Sequence, residues 1–77
     1  MAKNIVVYHQ PGCPPCHSAM EFLKQHGIPF THKDITEDDA ALDELMALGS
    51  RSTPTIVVGD EVMIGFRKDE LLAMIAK

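Results

Sequence analysis

The chain has 77 residues, of which 45% are apolar, so we expect one small domain over residues 1–77 and a monomer. Eleven acidic and seven basic residues give a net charge of −4, which argues against a nucleic-acid partner because such proteins carry basic patches. No apolar run is long enough to span a membrane and no signal peptide opens the chain, so we expect a cytoplasmic protein without membrane contact.

The first third of the chain predicts a strand followed by a helix. Ile5–Tyr8 is a short apolar run rich in β-branched residues, which is typical of a strand covered on both faces. Pro11-Gly12 ends this strand. From Cys16 onward apolar residues recur at helical spacing, and Gly27 is typical of a helix C-terminus, so we expect a helix over 14–26.

The middle of the chain predicts a second strand over 29–35 and a second helix after it. Thr36 is placed to cap that helix, and the acidic residues 37–39 would fill its first turn, where they favour the helix dipole. Apolar residues at helical spacing predict a buried stripe made of Ala41, Leu42, Leu45, Met46 and Leu48.

The last third predicts a hairpin and a final helix. Thr55–Val58 and Val62–Phe66 would form the two arms, joined by a turn at Gly59-Asp60. Asp69–Ala76 would form the helix, with three residues facing inward: Leu71, Leu72 and Ile75. This order of elements predicts an α/β fold in which three helices flank a four-stranded mixed sheet.

Two cysteines, Cys13 and Cys16, lie where the first strand gives way to the first helix, and only Pro14 and Pro15 separate them. The start of a helix carries partial positive charge and free N–H groups, which stabilise a thiolate, and the thiolate is the reactive form of cysteine. Two cysteines are too few, and these two are too close together, to form the disulfide scaffold of a small secreted protein. The pattern therefore predicts a dithiol that exchanges electrons with other disulfides.

Four segments carry a wider pattern: Tyr8-His9-Gln10-Pro11-Gly12-Cys13-Pro14-Pro15-Cys16, Ser52-Thr53-Pro54-Thr55, Val58-Gly59-Asp60 and Ile64-Gly65-Phe66-Arg67-Lys68-Asp69. Together they resemble the glutaredoxin family, which has the thioredoxin fold, and the likeness covers nearly the whole chain. A Cys-x-x-Cys pair alone is only moderately specific. Followed by Thr-Pro in the second half of the chain and by Gly-Phe after a hairpin, it is a strong match.

This resemblance implies a sheet of strand order 2-1-3-4, with the third strand antiparallel to the first, and a cis peptide bond between Thr53 and Pro54. It also implies that the cis proline faces the cysteines and that the backbone of Thr53 pairs with an extended substrate. The substrate contacts that it implies are Tyr8, Pro14, Arg51, Thr53, Pro54, Gly65 and Phe66.

In the expected reaction, Cys13 attacks a substrate disulfide and forms a mixed disulfide with it. Cys16, deeper in the helix, then attacks Cys13 and releases the reduced product, so both cysteines end oxidised and an external reductant must return two electrons. We expect no tightly bound cofactor and no metal, and glutathione is one candidate reductant. The predicted partners are thus a disulfide-containing protein and an electron donor.

The prolines between the cysteines have a chemical consequence, since neither Pro14 nor Pro15 has an N–H to donate to the sulfur of Cys13. Hydrogen bonds to the charged form lower a pKa, so their loss should raise it. Thiolates in related motifs have pKa values of about 3.5 to about 7, and we expect Cys13 toward the upper part of that range.

The electron donor is open at this stage. Glutathione-dependent relatives often carry a cation near the start of the cysteine motif, where this chain has His9-Gln10, and Gly-Gly after the hairpin, where it has Gly65-Phe66. The segment Gly65-Phe66-Arg67 is more similar to small redoxins that reduce ribonucleotide reductase and take electrons from thioredoxin reductase. Arg51 keeps glutathione open, because the family places a cation there for the glycyl carboxylate.

Two other classes of function remain as alternatives. In a zinc or iron–sulfur module, Cys13 and Cys16 would be ligands, with His9 or His17 as a third, but no second ligand pair follows at a diagnostic spacing. In a redox-inert adaptor the cysteines would be core residues. A colourless, metal-free purified protein would argue against the metal module, and disulfide reduction that is lost on Cys13→Ser would separate the dithiol enzyme from the adaptor.

Overall fold

The computed structural model describes residues 4–76; residues 1–3 and 77, at the ends of the predicted domain, lie outside the described part. The elements in chain order are β1 (Ile5–His9), α1 (Pro14–Gln25), β2 (Thr31–Asp34), α2 (Asp39–Ala47), β3 (Thr55–Val58), β4 (Glu61–Ile64) and α3 (Lys68–Ala76). Over these residues no helix has the length and apolar character needed to cross a membrane.

The four strands form one mixed sheet in the order β2-β1-β3-β4. β1 runs parallel to β2 and antiparallel to β3, and β3 pairs antiparallel with β4 through the turn at Gly59 and Asp60. Val7, at the middle of β1, is opposite His32 on one side and Ile56 on the other. The predicted strand order and the antiparallel third strand are confirmed.

Alternate residues of β1 enter two separate cores on the two faces of the sheet. Ile5 and Val7 belong to the larger core, which the buried residues of α1 and α3 complete. Val6 and Tyr8 point the other way, against Ala41 and the rest of the buried face of α2. A short continuous apolar strand is needed here because both of its faces are covered.

The start of α2 differs from the prediction. The N-cap is Asp38 rather than Thr36, because Oδ1 of Asp38 accepts hydrogen bonds from the N–H groups of Ala40 (3.0 Å) and Ala41 (3.3 Å). The hydroxyl of Thr36 instead donates to Oδ1 of Asp34 at 2.6 Å, within the turn that precedes the helix. An acidic cap satisfies the first amides of the helix and also favours its dipole.

The buried stripe predicted for α2 is wrong at two positions. Ala41 and Leu45 are fully buried, whereas 38% of Leu42 and 55% of Met46 is exposed. Each of these exposed residues directly follows a buried one, so it lies about 100° further around the helix and away from the sheet. On α3, likewise, Leu71 is fully buried but Leu72 is 39% exposed.

Two predicted strands are longer than the observed ones. β2 begins at Thr31 and ends at Asp34, where its partner β1 also ends. β4 ends at Ile64 because Gly65, at φ 94°, turns the chain away from the sheet. Only a residue without a side chain adopts such a φ readily.

Candidate active site

The sulfur of Cys13 caps the first helix. Cys13 is the N-cap of α1, in an extended conformation, and its Sγ accepts a hydrogen bond of 3.3 Å from the backbone N–H of Cys16. Pro14 and Pro15 occupy the first two positions of the helix. Since prolines have no N–H, the amide of Cys16 is the first one in the helix that can reach the sulfur.

Cys13 and Cys16 form a disulfide, with their Cα atoms 5.3 Å apart. This separation is within the usual range of disulfides, so the backbone is already suited to forming and breaking the bond. Cys13 is partly exposed, whereas only 1% of Cys16 is accessible. A partner from solution therefore reaches Cys13 and not Cys16.

The loop before β3 faces the sulfur of Cys13. The peptide bond between Thr53 and Pro54 is cis, as the resemblance implies. The carbonyl oxygen of Thr53 lies 3.7 Å from Sγ of Cys13, and its hydroxyl oxygen lies 3.6 Å from the same atom. The fold thus brings together two segments that are 40 positions apart in the sequence.

The hydroxyl groups of Ser50 and Thr55, together with the backbone of Ser52, hold this loop in place; we call these three residues the hydroxyl clasp. The side chains of Ser50 and Thr55 are buried and share a hydrogen bond of 2.7 Å. The Thr55 hydroxyl also donates to the carbonyl of Ser52 at 2.7 Å, and the Ser52 N–H donates to the Ser50 hydroxyl at 3.3 Å. These hydrogen bonds join residues that precede Thr53 to a residue that follows it, so they hold the backbone on both sides of Thr53.

The end of the hairpin is joined to the same loop. The N–H of Gly65 donates a hydrogen bond of 2.8 Å to the carbonyl of Pro54. Next to it, the ring of Phe66 meets the ring of Phe22 edge to face, with centroids 5.6 Å apart. Phe66 also lines an open groove of about 610 Å³ that runs beside α1; its other lining residues are Pro14, Pro15, Ser18, Glu21, Phe22, Gln25 and Lys68.

The remaining predicted substrate contacts occupy different surroundings. Pro14 is exposed beside Cys13, and Arg51 is exposed in the loop that leads to Thr53. Tyr8 is only 6% exposed and belongs to the core beneath α2. Burial raises the pKa of Tyr8, and the hydrogen bond from its hydroxyl to Glu44 raises that pKa further. A substrate contact by Tyr8 stays a prediction.

Two histidines on the neighbouring strands β1 and β2 are hydrogen-bonded to each other. Nε2 of His9 lies 3.1 Å from Nδ1 of His32 on the neighbouring strand, so one nitrogen donates and the other accepts. Burial lowers the pKa of His9, and the adjacent His32 lowers it further. Across residues 4–76 no three side chains of the metal-binding types come together.

Sequence reasoning missed two features of this site. It assigned Thr53 a backbone role only, and it gave Ser50 and Thr55 no role in holding the loop. A dense run of hydroxyl residues from position 50 to position 55 is the signal that could have found the roles of Ser50 and Thr55. Side-chain hydroxyls in such loops commonly bond to nearby backbone groups.

The fold and the cysteine pair define a dithiol thiol–disulfide oxidoreductase. The family model described as Glutaredoxin matches residues 5–63. The glutaredoxin-like protein NrdH of Lactococcus lactis subsp. cremoris (strain MG1363) is 30% identical over 67 residues, covering 87% of this chain and 93% of its own.

Two solved structures are also similar. One is the thioredoxin-like protein BC3987, with a TM-score of 0.88 and 40% identity, covering 92% of this chain and 99% of that one. The other is the glutaredoxin-like NrdH-redoxin from Escherichia coli, which is described as having a thioredoxin-like activity profile. It has a TM-score of 0.83 and 27% identity, and the match covers 91% of this chain and 92% of that one. The chain belongs to the glutaredoxin family.

Proposed function

We propose that this oxidoreductase reduces disulfides in protein substrates and is itself reduced by a flavoprotein of the thioredoxin reductase type. The observation that carries the first part is the position of Thr53 beside Cys13, the more accessible of the two cysteines. No hydrogen bond recorded among residues 4–76 uses the backbone N–H of Thr53. An extended substrate segment that pairs with this backbone would bring its disulfide to Cys13.

The proposed cycle transfers two electrons and needs no bound cofactor. The Cys13 thiolate attacks one substrate sulfur, and the other leaves as a thiolate and takes up a proton. Cys16 then loses its proton and attacks the sulfur of Cys13, which releases the second substrate thiol and leaves the Cys13–Cys16 disulfide. The flavoprotein reduces this disulfide through its own dithiol, and we place the cycle in the cytoplasm with the protein as a monomer.

The choice of electron donor is supported by two observations. The Escherichia coli redoxin of similar fold is described as thioredoxin-like in its activity. In addition, this chain has Gly65-Phe66 where the resemblance associates glutathione binding with Gly-Gly, and the ring of Phe66 packs on Phe22 beside the loop. A side chain thus occupies a position that is open in a Gly-Gly segment.

A comparison of two reducing systems tests the donor. Oxidised protein receives either NADPH with thioredoxin reductase or NADPH with glutathione and glutathione reductase, and insulin serves as the disulfide substrate. We expect faster NADPH consumption with thioredoxin reductase by at least about tenfold, a difference of about 1.4 kcal/mol in activation free energy. Equal rates, or faster turnover with glutathione, would overturn the donor assignment.

Glutathione is the second candidate because of Arg51, which is exposed in the loop before Thr53. If glutathione binds there, Arg51→Ala should raise the KM for glutathione, because a guanidinium pairs well with a carboxylate. Lys24→Ala, at an exposed position on α1, is the matched loss of a cation. An effect of Arg51→Ala that is absent from Lys24→Ala would favour glutathione.

A further inference from the structure

We propose that the hydroxyl of Thr53 is a catalytic group, which donates a hydrogen bond to the sulfur of Cys13 and takes the place of an amide donor that Pro15 lacks. The inference goes beyond the backbone role that the resemblance implies for Thr53. It concerns the reactivity of Cys13 and depends on neither the protein substrate nor the electron donor.

The helix offers the sulfur unusually few donors. A side chain at an N-cap normally accepts from the N–H groups of the second and third helical residues. Here the second is Pro15, so the Cys16 N–H, at 3.3 Å from the sulfur, is the remaining one. The Thr53 hydroxyl, at 3.6 Å, supplies a second hydrogen bond to Sγ from outside the helix. Among residues 4–76 that hydroxyl makes no other hydrogen bond.

Thr53 also presents an opposing group to the same atom. Its carbonyl oxygen lies 3.7 Å from Sγ of Cys13. A thiol can donate to that carbonyl, which favours the neutral form, whereas the hydroxyl can donate to a thiolate, which favours the charged form. Removing the hydroxyl leaves the Cys16 N–H as the remaining donor against this carbonyl, so the balance should move toward the thiol.

The position of the hydroxyl is held by packing and by the hydroxyl clasp. Thr53 is partly buried and β-branched, which restricts its side-chain rotation. The buried pair of Ser50 and Thr55 closes the chain on either side of it. A donor that is already oriented loses little entropy when it bonds to the thiolate.

Few other charged or titratable groups lie where they could change the pKa of Cys13. Within residues 4–76 no ion pair and no charged side-chain hydrogen bond involves Cys13. The titratable residues next to it in the chain and in the facing loop are Cys16, His17 and Arg51, of which the last two are exposed. The Thr53 hydroxyl is therefore the side-chain donor whose removal should change Cys13 most.

The test measures the pH dependence of alkylation of Cys13 by iodoacetamide in reduced protein. All variants carry Cys16→Ser, so that a single thiol reacts. Thr53→Val removes the hydroxyl and keeps the shape, Thr53→Ser keeps the hydroxyl, and Thr31→Val, at an exposed position of β2, is the matched control. Circular dichroism verifies that each variant is folded.

We expect Thr53→Val to raise the pKa of Cys13 by about one pH unit, while Thr53→Ser and Thr31→Val leave it nearly unchanged. Because nucleophilicity rises with thiol pKa, Thr53→Val should react more slowly than the Cys16→Ser parent near pH 6 and faster well above its own pKa. Crossing profiles of this kind do not arise from a change in folding alone.

Coincident profiles for Thr53→Val and the Cys16→Ser parent would overturn the proposal, as would an equal shift in Thr53→Ser. If Thr53→Val does not fold, Thr53→Ala carries the same expectation and the same refutation. Alkylation requires no disulfide substrate and no reducing system. The result can therefore be interpreted even if the proposed electron donor or the proposed class of substrate is wrong.

Discussion

The hydroxyl of Tyr8 donates a hydrogen bond of 2.9 Å to Oε1 of Glu44, although 36 positions separate the two residues. Nζ of Lys33 donates to the same oxygen at 2.7 Å. This network connects β1, β2 and α2 on the face of the sheet opposite to α1. It gives Tyr8 a structural role that can be measured apart from any role in binding.

Tyr8→Phe removes the hydroxyl and keeps the ring in the core. We expect the free energy of unfolding to fall by about 1 kcal/mol, as for a typical lost hydrogen bond. The KM for a protein disulfide should not change. Urea denaturation and a steady-state assay check the two expectations, and a raised KM with unchanged stability would instead support the substrate contact implied by the resemblance.

Glu44 makes stability depend on pH in the acid range. Hydrogen bonds from Lys33 and then from Tyr8 hold the pKa of Glu44 below its usual range. A lowered pKa in the folded state adds stability above the unfolded pKa of about 4.3, and this contribution is lost as the pH falls through the folded pKa. In urea titrations, Glu44→Gln should flatten the decline over that window, whereas Glu37→Gln, outside the network, should not.

Cys16→Ser should stop the cycle at the mixed disulfide. Cys13 can still attack a substrate, but no neighbouring thiol remains to resolve the product. Mass spectrometry of the protein incubated with a disulfide substrate should find the adduct on Cys13. Cys13→Ser should yield no adduct, because Cys16 is buried; an adduct on Cys16 would contradict the assignment of Cys13 as the nucleophile.

Gly65→Ala should affect both stability and substrate binding. The φ of 94° is unfavourable for alanine, and strained backbone of this kind costs about 1–3 kcal/mol. Because the Gly65 N–H also bonds to Pro54, the loop that carries Thr53 should shift and the KM should rise.

Gly27→Ala is the matched control for this substitution. Gly27, at φ 66°, follows α1 and has open space around the position of a Cβ. The Gly27→Ala variant should be less stable than wild type but have the same KM. Equal effects of both substitutions on KM would show that strain, rather than the bond to Pro54, is responsible.

Leu45→Ala and Met46→Ala compare the two sides of α2. Leu45 is fully buried, so its truncation should cost about 2–5 kcal/mol through lost burial and a cavity. Met46 is mostly exposed, and its truncation should change stability by no more than about 0.5 kcal/mol. Thermal or urea unfolding measures both, and comparable losses would contradict the observed orientation of the helix.

The sheet and the cysteine pair could be predicted because each depends on neighbouring residues. The continuous apolar run at Ile5–Tyr8 indicates a strand covered on both faces, and that strand does lie between two cores. The break at Pro11-Gly12 likewise indicates where the strand ends and the site begins. Strand order and the cis peptide bond came from the resemblance alone.

Other features depend on contacts that spacing does not reveal. Thr36 and Asp38 are both acceptable caps, but the hydroxyl of Thr36 bonds to Asp34 in the preceding turn and Asp38 caps the helix. Leu42 and Met46 fit an apolar stripe, but a short helix buries only a narrow face. The Thr53 hydroxyl reaches Cys13 only because two distant segments fold together, so no local pattern reports it.

The hydrogen bond from Gly65 to Pro54 makes the redox centre sensitive to events at the far end of the chain. Fraying of the hairpin end would break this bond and leave the hydroxyl clasp to hold the cis-proline loop, while the disulfide and its helix remained in place. The Gly65 amide is therefore a natural reporter for hydrogen exchange. Its protection factor would measure how often the bond between the hairpin and the cis-proline loop opens.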